Sequence, residues 1–296
     1  MSLSLVQDCG KLGISLIAHQ AESGVRKVAA STASGRSERI VRFMANFTIH
    51  RVEQIDSTNT QLLQWSAQQN CHRVALVANE QTAGRGQRAR QWHAAPGDAL
   101  LCSVAWQFAR QSALDGLSLA VGVMVSNALT QALDGITANR LSLKWPNDLL
   151  IDETHKLGGI LIETVPSLEN TRTAVIGIGI NLRTPQFAPI VDALPSIGLD
   201  AWSESKSHRD EVLDRVLVAL ELGLSEFARG GFASFQQLWW QRGAYLAARI
   251  TARLPDGEVV SGNIRSVTER GALVIESERG LHTLISGEVS VRVASA

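Results

Sequence analysis

The sequence predicts a mixed α/β domain followed by a small domain built from β-strands. Short apolar runs alternate with helical patterns from Phe47 onward, which is typical of a domain that mixes strands and helices. After Tyr245 the pattern changes to short alternating strands separated by turn glycines, which favours a small β-barrel. On a prior of roughly 150 residues per domain, the chain is long enough for about two domains with buried cores.

Five apolar runs are the predicted strands of the first domain. They are expected at 74–78, 100–106, 141–145, 160–163 and 174–180. Two apolar stripes at helical spacing are its predicted long helices. The first stripe is Leu117, Val121, Val125, Leu129 and Leu133. The second helix should begin near Ser207, with Asp210 three residues on as in a capping box, and reach Phe227. Prolines between 185 and 195 predict an irregular connection before it.

Three segments are expected along the chain. Residues 1–45 are rich in Ser, Ala and Gly and carry an excess of positive charge, so we expect a flexible extension, within which Met44 is an alternative start codon. This segment lacks the two amphipathic helices that a DNA-binding helix-turn-helix needs. The α/β domain is expected over 46–245 and the small β-domain over 246–296.

Balanced charge argues against a protein that binds nucleic acid or a membrane surface. Lys and Arg total 28, as do Asp and Glu, whereas such proteins usually carry a basic excess. Cys9, Cys71 and Cys102 lie far apart, which predicts neither a disulfide framework nor a cysteine-rich metal site. The apolar runs fall short of the roughly 18 residues that a membrane-spanning helix needs. We therefore expect a cytoplasmic protein.

The segment 81–92 is the most unusual in the chain. It reads Gln-Thr-Ala-Gly-Arg-Gly-Gln-Arg-Ala-Arg-Gln-Trp and directly follows a predicted strand. Two glycines allow its backbone to approach a ligand, and three arginines without an acid concentrate positive charge. Guanidinium groups match the geometry of carboxylates and phosphates, which favours an anionic ligand; a solvated basic loop is the alternative.

Three further clusters lie at strand ends. The first, at 144–148, reads Lys-Trp-Pro-Asn-Asp and contains a turn signal. The second, at 156–161, reads Lys-Leu-Gly-Gly-Ile-Leu and has a lysine at the entrance of a strand. The third, at 177–182, reads Gly-Ile-Gly-Ile-Asn-Leu and ends an apolar strand with an amide side chain. Taken alone, each is an ordinary structural pattern. The sequence contains no GxxxxGK[ST] motif, which argues against a P-loop. It also contains no GxSxG motif for a serine nucleophile and no HExxH motif for a catalytic zinc.

Together and in this order, the clusters resemble the motifs of the biotin protein ligases. Asp-Ser-Thr-Asn at 56–59 precedes them, and the similarity extends from Phe47 to Gly-Glu-Val-Ser-Val-Arg at 287–292. The resemblance implies an α+β, class II synthetase-like catalytic domain with a small C-terminal SH3-like β-barrel. It implies a ligase that uses ATP and Mg²⁺ to convert biotin into biotinyl-5′-AMP. The enzyme would then transfer biotin to one lysine of the biotin carboxyl carrier protein of acetyl-CoA carboxylase.

The resemblance also assigns a biotin site, residue by residue. The expected biotin contacts are Ser57, Thr58, Asn59, Gln81, Arg85, Gly86, Gln87, Lys156, Gly158 and Gly159. The first four should hydrogen-bond the ureido ring, and the loop residues should cover the carboxylate. Polar groups that face a buried ureido ring would also reject analogues without it, because those groups would be left unpaired. No residue is assigned to a protein-bound metal.

The family pattern further implies a nucleotide site and four catalytic residues. The expected ATP and adenylate contacts are Arg88, Arg90, Trp92, Lys144, Asn147, Asp148, Asn181 and Arg292. The expected catalytic residues are Lys156, Asp148, Arg85 and Arg90. Lys156 should stabilise charge on the carboxyl oxygen, and Asp148 should act on the incoming lysine, as a general base or by orienting the amine. Bringing the carboxylate within about 4 Å of the α-phosphate costs on the order of 4 kcal/mol, which fixed cations offset.

The sequence departs from the family in two places. Gly-Arg-Gly-Arg is the common loop, whereas Gln87 stands at the fourth position here, so we expect weaker retention of the adenylate unless Arg88 substitutes. Bifunctional members carry an N-terminal winged helix-turn-helix, and residues 1–45 do not match one, which predicts a ligase that does not bind DNA. Related ligases often pair through a sheet edge, so a homodimer is expected.

Two other functions remain open at this point. A lipoate ligase or octanoyltransferase has a similar fold and related acyl chemistry. A biotin-sensing regulator without catalysis is the second alternative. The arginine-glycine loop with Lys-Trp-Pro-Asn-Asp favours biotin over lipoate, and the presence of Lys156 and Asp148 favours an enzyme over a regulator.

Overall fold

The computed structural model describes residues 45–87, 90–132, 139–166, 170–186, 193–202, 209–254, 257–285 and 290–293. Expectations that concern 1–44, Arg88, Ser207 or Gly287 lie outside the described residues. The described chain forms a seven-stranded mixed sheet and a five-stranded antiparallel sheet, with helices against the first sheet. The predicted mixture of helices and strands is therefore confirmed.

The seven-stranded sheet provides the frame of the molecule. Its strands are β1 (Thr48–Ile55), β2 (Val74–Gln81), β3 (Ala99–Ala109), β4 (Leu141–Lys144), β5 (Asp148–Ile151), β6 (His155–Pro166) and β7 (Thr171–Asn181). Their order across the sheet is β1-β2-β3-β7-β6-β5-β4. The β1–β2 pair is parallel and every other pair is antiparallel. The long strands β3 and β7 are central, which suits their nearly continuous apolar sequences.

Helices cover both faces of this sheet. They are α1 (Thr58–Gln68), α2 (Leu117–Ala132), α3 (Leu199–Trp202), α4 (Arg209–Gly230) and α5 (Gln236–Arg242), with a 3₁₀ turn at Gly231–Ser234. Successive residues of β3 point to opposite faces. Val104 belongs to the main core with α2 and α4, whereas Ala105 packs with Leu62 of α1. The N-terminus of α1 therefore lies on the face opposite to the two long helices.

The five-stranded sheet follows α5. Its strands are β8 (Arg249–Arg253), β9 (Val259–Val267), β10 (Leu273–Ser277), β11 (Gly280–Leu284) and β12 (Ser290–Val293), in the order β11-β10-β9-β8-β12. It contacts the first sheet at the turn after β4, where the Trp145 indole donates to the Gly271 carbonyl at 3.0 Å. Gly271 has φ +77°, and a Cβ there would lie 2.6 Å from the Gly116 Cα, so this contact requires glycine.

Some sequence expectations about the elements were wrong or incomplete. The strand expected at 141–145 ends at Lys144, because Pro146 has no N–H with which to continue the ladder. The turn signal in the cluster 144–148 corresponds to a turn at 145–147, after which Asp148 opens β5 and pairs with Lys144 and Gly159. The prediction also missed β1, β5, α1 and α5. For α1 a signal was present, since Ser57 caps the helix by accepting from the Thr60 N–H at 3.4 Å.

Two further properties of the described residues are the length of their helices relative to a membrane and the state of their cysteines. Within the described ranges, no helix is long and apolar enough to cross a membrane. Cys71 and Cys102 are both buried free thiols. Burial raises the pKa of Cys102 to about 12, so that this thiol stays protonated.

Candidate active site

One cavity of about 790 Å³ brings most of the predicted site residues together. Its walls come from the start of α1, the loop after β2, the β4–β5 turn, the first half of β6, the end of β7, residues 193–196 and β12. The predicted residues that line it are Ser57, Thr58, Asn59, Gln81, Arg85, Gly86, Gln87, Arg90, Trp92, Lys144, Asn147, Asp148, Lys156, Gly159, Asn181 and Arg292. A volume of this size is typical of a site for a small molecule or cofactor.

Neutral polar side chains form one end of the cavity, which we call the amide end (Ser57, Thr58, Asn59, Gln81 and Ser103). The Gln81 Oε1 accepts from the Thr58 N–H at 2.7 Å, which fixes the first turn of α1 to the end of β2. The hydroxyls of Thr58 and Ser103 lie 2.7 Å apart, and Ser103 donates to the Asn59 Oδ1 at 2.9 Å. All four of the residues Ser57, Thr58, Asn59 and Ser103 are buried, and all four line the cavity.

A carboxylate extends this network to the arginine-glycine loop. Glu163 of β6 accepts from the Asn59 amide at 2.8 Å through Oε2. Its Oε1 accepts from the Arg85 guanidinium at 2.8 Å, and Arg85 also donates to the Thr60 hydroxyl at 3.2 Å. Three separate elements, α1, β6 and the loop, are therefore joined at one residue.

Charged side chains form the opposite end, which we call the ionic end (Lys144, Asp148 and Lys156, with Arg90 and Arg292 nearby). The Lys156 ammonium donates to Asp148 Oδ1 at 2.6 Å, and the Lys144 Nζ lies 3.9 Å from Asp148 Oδ2. Burial lowers the pKa of Lys144 from its usual value; Asp148 opposes this, while Lys156, Arg292 and Arg90 lower the pKa further. The ionic end therefore holds more positive than negative charge, and an anion would relieve that imbalance.

Backbone hydrogen bonds hold Lys156 in place. The Lys156 N–H donates to the Pro195 carbonyl at 2.7 Å, and the Lys156 carbonyl accepts from the Ile197 N–H at 3.0 Å. The Asn181 amide donates to the same Lys156 carbonyl at 3.4 Å and to the Ile197 carbonyl at 3.2 Å. The irregular connection that the prolines predicted thus contributes a wall of the cavity beside the lysine.

Asn147 serves a similar backbone role in the β4–β5 turn. Its side-chain NH₂ donates to the Ile160 backbone carbonyl at 2.9 Å, and its backbone carbonyl accepts from the Ile160 N–H at 3.0 Å. The amide nitrogens of Asn147 and Asn181 are thus engaged with the protein backbone, although both residues line the cavity. Both residues therefore position the strands that line the cavity rather than directing their NH₂ groups into it.

Glycines on β7 allow two side chains to lie flat against the sheet. A Cβ at Gly177 would lie 2.6 Å from the Asn59 Oδ1, and one at Gly179 would lie 2.8 Å from the Trp92 ring. The Trp92 ring is also 5.8 Å from the Lys156 Nζ. Its indole nitrogen is buried and has no hydrogen-bond partner among the described residues. The two glycines therefore set the depth of the cavity floor.

Two predicted residues are placed differently. Gly158 lies outside the described lining of the cavity, because its α-carbon faces β7, where a Cβ would be 2.6 Å from the Gly179 carbonyl. Arg88 lies outside the described residues. Sequence reasoning missed Ser103 and Glu163, which belong to an apolar strand and to the far half of β6. A polar residue inside each apolar strand pattern was the only signal.

Comparisons with known proteins agree with this geometry. Residues 52–181 match the sequence model of the Biotin/lipoate A/B protein ligase family, and residues 248–292 match the Biotin protein ligase C terminal domain. The fold and the site therefore define a protein of the biotin and lipoate ligase class.

Similarity to individual relatives narrows this class. The Biotin--[acetyl-CoA-carboxylase] ligase of Paracoccus denitrificans is 30% identical over 216 residues, which cover 72% of this chain and 88% of that protein. The bifunctional ligase/repressor BirA of Escherichia coli (strain K12) is 29% identical over 243 residues, 81% of this chain and 73% of its own. The biotin protein ligase from Aquifex aeolicus in complex with biotin and ATP aligns with a TM-score of 0.71 and 28% identity, over 83% of this chain and 99% of that one. The chain belongs to the biotin protein ligase family.

Proposed function

We propose that this protein activates biotin with ATP as biotinyl-5′-AMP and transfers the biotinyl group to a lysine of a biotin-dependent carboxylase carrier. The observation that carries the proposal is the arrangement of one cavity, in which buried neutral amides and hydroxyls cluster at the amide end and lysines cluster around Asp148 at the ionic end. Biotin has a matching arrangement, because it carries an uncharged ureido ring at one end and a carboxylate at the other. A ligand bound in this orientation presents its carboxylate where the lysines lie.

The amide end suits the ureido ring. That ring has one carbonyl acceptor and two N–H donors and no charge, so neutral amides and hydroxyls can satisfy it without burying an ion. Thr58 and Ser103 are buried and already oriented by Gln81 and Asn59. Because these partners are fixed before binding, little conformational freedom is lost when biotin binds.

Adenylate formation takes place at the ionic end. A biotin carboxylate oxygen attacks the α-phosphorus of ATP, the new O–P bond forms, and pyrophosphate leaves with the electrons of the broken bond. Lys156 and Lys144 stabilise the negative charge that gathers where carboxylate and phosphate meet. Arg90 and Arg292, which line the same cavity, provide further positive charge for the nucleotide phosphates.

Magnesium fits this site as part of the MgATP substrate. Among the described residues no group of three or more His, Cys, Asp or Glu side chains is placed to hold a metal ion. The described lining contains one carboxylate, Asp148, and Lys156 already binds it at 2.6 Å. Because Mg²⁺ commonly reaches nucleotide sites through the substrate phosphates, we propose that the ion enters with ATP.

Biotin transfer needs a neutral amine. The carrier lysine loses a proton, its nitrogen attacks the acyl carbon of the adenylate, an amide forms, and AMP leaves with the electron pair of the broken C–O bond. Asp148 is half-buried beside Lys156 and Lys144, where it can accept the ammonium proton or orient the amine. Lys156 remains within reach of the carbonyl oxygen on which charge develops.

Several finer features accompany this proposal. We propose that the catalytic domain spans 46–245 and that residues 246–296 form an SH3-like barrel, supported by the five short antiparallel strands. A homodimer would pair through β1, an edge strand whose side chains are mostly exposed. We also propose the biotin carboxyl carrier protein of acetyl-CoA carboxylase as the acceptor and the cytoplasm, where ATP is available, as the location.

The test is to mix the purified protein with MgATP, biotin and a carrier domain and to follow the mass of the carrier. We expect a gain of one biotinyl group together with biotin-dependent release of pyrophosphate. Lipoate and octanoate in place of biotin test the nearest alternative, since pyrophosphate release driven by those acids would favour a lipoate ligase or octanoyltransferase. Biotin binding without any pyrophosphate release would instead favour a non-catalytic sensor.

A further inference from the structure

Glu163 lies beside the proposed biotin site without belonging to its assigned contacts. It follows Leu161 by two residues on β6, so both side chains point to the same face of the sheet, and Leu161 lines the cavity. The two carboxylate oxygens have different partners: Oε2 accepts from the Asn59 amide at 2.8 Å and Oε1 accepts from Arg85 at 2.8 Å. We call this arrangement the carboxylate bridge (Asn59, Arg85 and Glu163).

The bridge determines the orientation of the buried Asn59 amide. With its NH₂ group donating to Glu163, the Asn59 Oδ1 is left to accept from Ser103 at 2.9 Å. Ser103 in turn lies 2.7 Å from the Thr58 hydroxyl. A chain of hydrogen bonds thus runs from the carboxylate to the amide end, in which the Asn59 NH₂ donates to Glu163 and Ser103 donates to Asn59. Without the Glu163 carboxylate, the Asn59 amide would lose the acceptor that fixes its orientation.

The bridge also ties the arginine-glycine loop to the cavity floor. Arg85 donates to Glu163 and to the Thr60 hydroxyl, so its side chain spans from the loop to β6 and α1. Asn59 is nearly fully buried, at 3% exposure, whereas Arg85 is half-exposed. One oxygen of Glu163 therefore faces a rigid partner and the other faces a partner on a loop.

We propose that Glu163 is a positioning residue that holds Arg85 of the arginine-glycine loop and the ureido-binding Asn59 in a fixed arrangement. The inference rests on the proposed function and adds a residue to it. Glu163 acts through Asn59 and Arg85 and makes no contact with the reacting atoms. Its loss should weaken biotin binding and speed release of the adenylate, while chemistry on bound substrates continues at nearly the normal rate.

Glu163→Gln is the first variant, because glutamine has the same shape but only one acceptor oxygen. Its NH₂ group would face either the Asn59 NH₂ or the Arg85 guanidinium, and both are donors. We expect KM for biotin to rise about tenfold, as when a hydrogen bond to a charged group is lost. KM for ATP and kcat should stay within about twofold, since those depend on the ionic end.

Glu163→Asp keeps the charge but is one methylene shorter, so it reaches one partner and not both. We expect it to recover part of the loss, with KM for biotin between those of the parent and Glu163→Gln. The matched control is Glu226→Gln on α4. Glu226 likewise accepts from an arginine, Arg229 at 2.6 Å, and from a hydroxyl, Ser234 at 3.0 Å, but lies away from the cavity. The control should leave both KM values unchanged.

Trypsin sensitivity of the segment 84–92 provides a readout that does not need activity. Trypsin cleaves after arginine, and we expect Glu163→Gln to be cut several-fold faster in this segment than the parent or Glu226→Gln. Equal cleavage rates and equal KM for biotin in Glu163→Gln and the control would overturn the inference. If the parent itself shows no biotin-dependent pyrophosphate exchange, the proposed function fails, and the cleavage rates alone decide whether Glu163 holds the loop.

Discussion

The amide end and the ionic end of the cavity differ in the charge and the burial of their side chains. Thr58, Ser103 and Asn59 are uncharged, buried and hydrogen-bonded to one another at 2.7–2.9 Å. Lys156 and Lys144 are charged, partly exposed and arranged around the single carboxylate of Asp148 at 2.6 Å and 3.9 Å. One end is therefore a network of neutral groups that orient one another, and the other holds more positive than negative charge.

Under the proposed function, this difference separates recognition of biotin from the reaction at its carboxylate. A neutral network can identify a ureido ring because each wrong partner leaves a buried group unpaired. The neutral network does little to lower the activation barrier that arises when a carboxylate and a phosphate approach each other. The ionic end has the reverse property, since point charges stabilise any nearby anion but discriminate poorly among anions. Substitutions at the two ends should therefore affect different kinetic constants.

The largest expected effect is from Lys156→Ala at the ionic end. Loss of this ammonium removes the charge closest to Asp148, which under the proposed function also faces the biotin carboxylate, so adenylate formation should fall by at least about a hundredfold. Biotin-dependent pyrophosphate exchange and mass labelling of the carrier measure it. Arg183→Ala, which removes an exposed arginine 3.6 Å from Asp98, is the control and should retain activity. Full carrier labelling by a folded Lys156→Ala protein would contradict the assignment.

At the amide end, Thr58→Val tests recognition without a change of charge. Valine keeps the shape of threonine but leaves the Gln81 and Ser103 side chains without their hydroxyl partner. We expect KM for biotin to rise about tenfold with a smaller change in kcat. Ser66→Ala on α1 is the control, because the Ser66 hydroxyl is buried without a hydrogen-bond partner among the described residues. A fall in kcat with unchanged KM for biotin would contradict the separation of the two ends.

Gln87→Arg adds a charge to the part of the arginine-glycine loop that lines the cavity. Gln87 lines the cavity on the arginine-glycine loop, where the family pattern has arginine. An added guanidinium near the adenylate phosphate should slow release of biotinyl-5′-AMP several-fold, because charge-assisted hydrogen bonds to phosphate are strong. The dissociation rate is measured by loading the protein with labelled biotinyl-5′-AMP and following loss of the label into excess unlabelled adenylate, without carrier. Gln64→Arg, an exposed addition on α1, serves as the control. Unchanged dissociation in Gln87→Arg would count against a role of this position in retention.

The smallest effect concerns stability and pH. Burial lowers the pKa of Lys144, so below the usual lysine value of 10.5 the unfolded state binds more protons at this residue than the folded state. In the pH window between the lowered pKa and 10.5, this group makes stability rise with pH. Lys144→Met should raise Tm at neutral pH by a few degrees and remove that part of the pH dependence. Thermal unfolding at several pH values measures it. A lower Tm in Lys144→Met at neutral pH would contradict the account.

The sequence predicted the parts of the site that depend on local pattern. The loop at 81–92, the cluster at 144–148 and the lysine at 156 each follow or open a strand, and strand ends are where a sheet presents side chains to a ligand. Apolar periodicity located the central strands and both long helices for the same reason, because burial of one face repeats at a fixed interval. Several weak motifs in a family order then identified the chemistry.

Pairings between distant residues were not accessible in this way. Ser103 meets Thr58 across 45 residues, and Glu163 meets Arg85 across 78. The exposed edge strand β1 and the short strand β5 lacked the apolar contrast that marks a half-buried strand. The side chains of Asn147 and Asn181 were expected to reach toward the nucleotide, whereas their amide nitrogens bind backbone carbonyls.

By itself, the sequence determined the class of fold, the family and the residue types available for an anionic and a ureido ligand. The class of fold follows from composition, spacing and local propensity, which act along the chain, whereas the family and its ureido ligand follow from the resemblance of motifs in a known order. Only the tertiary structure decided that the two kinds of residue form opposite ends of one cavity and that Glu163 connects its floor to its loop. Sheet order brings those residues together, and sheet order results from packing of the whole chain rather than from any one segment of it.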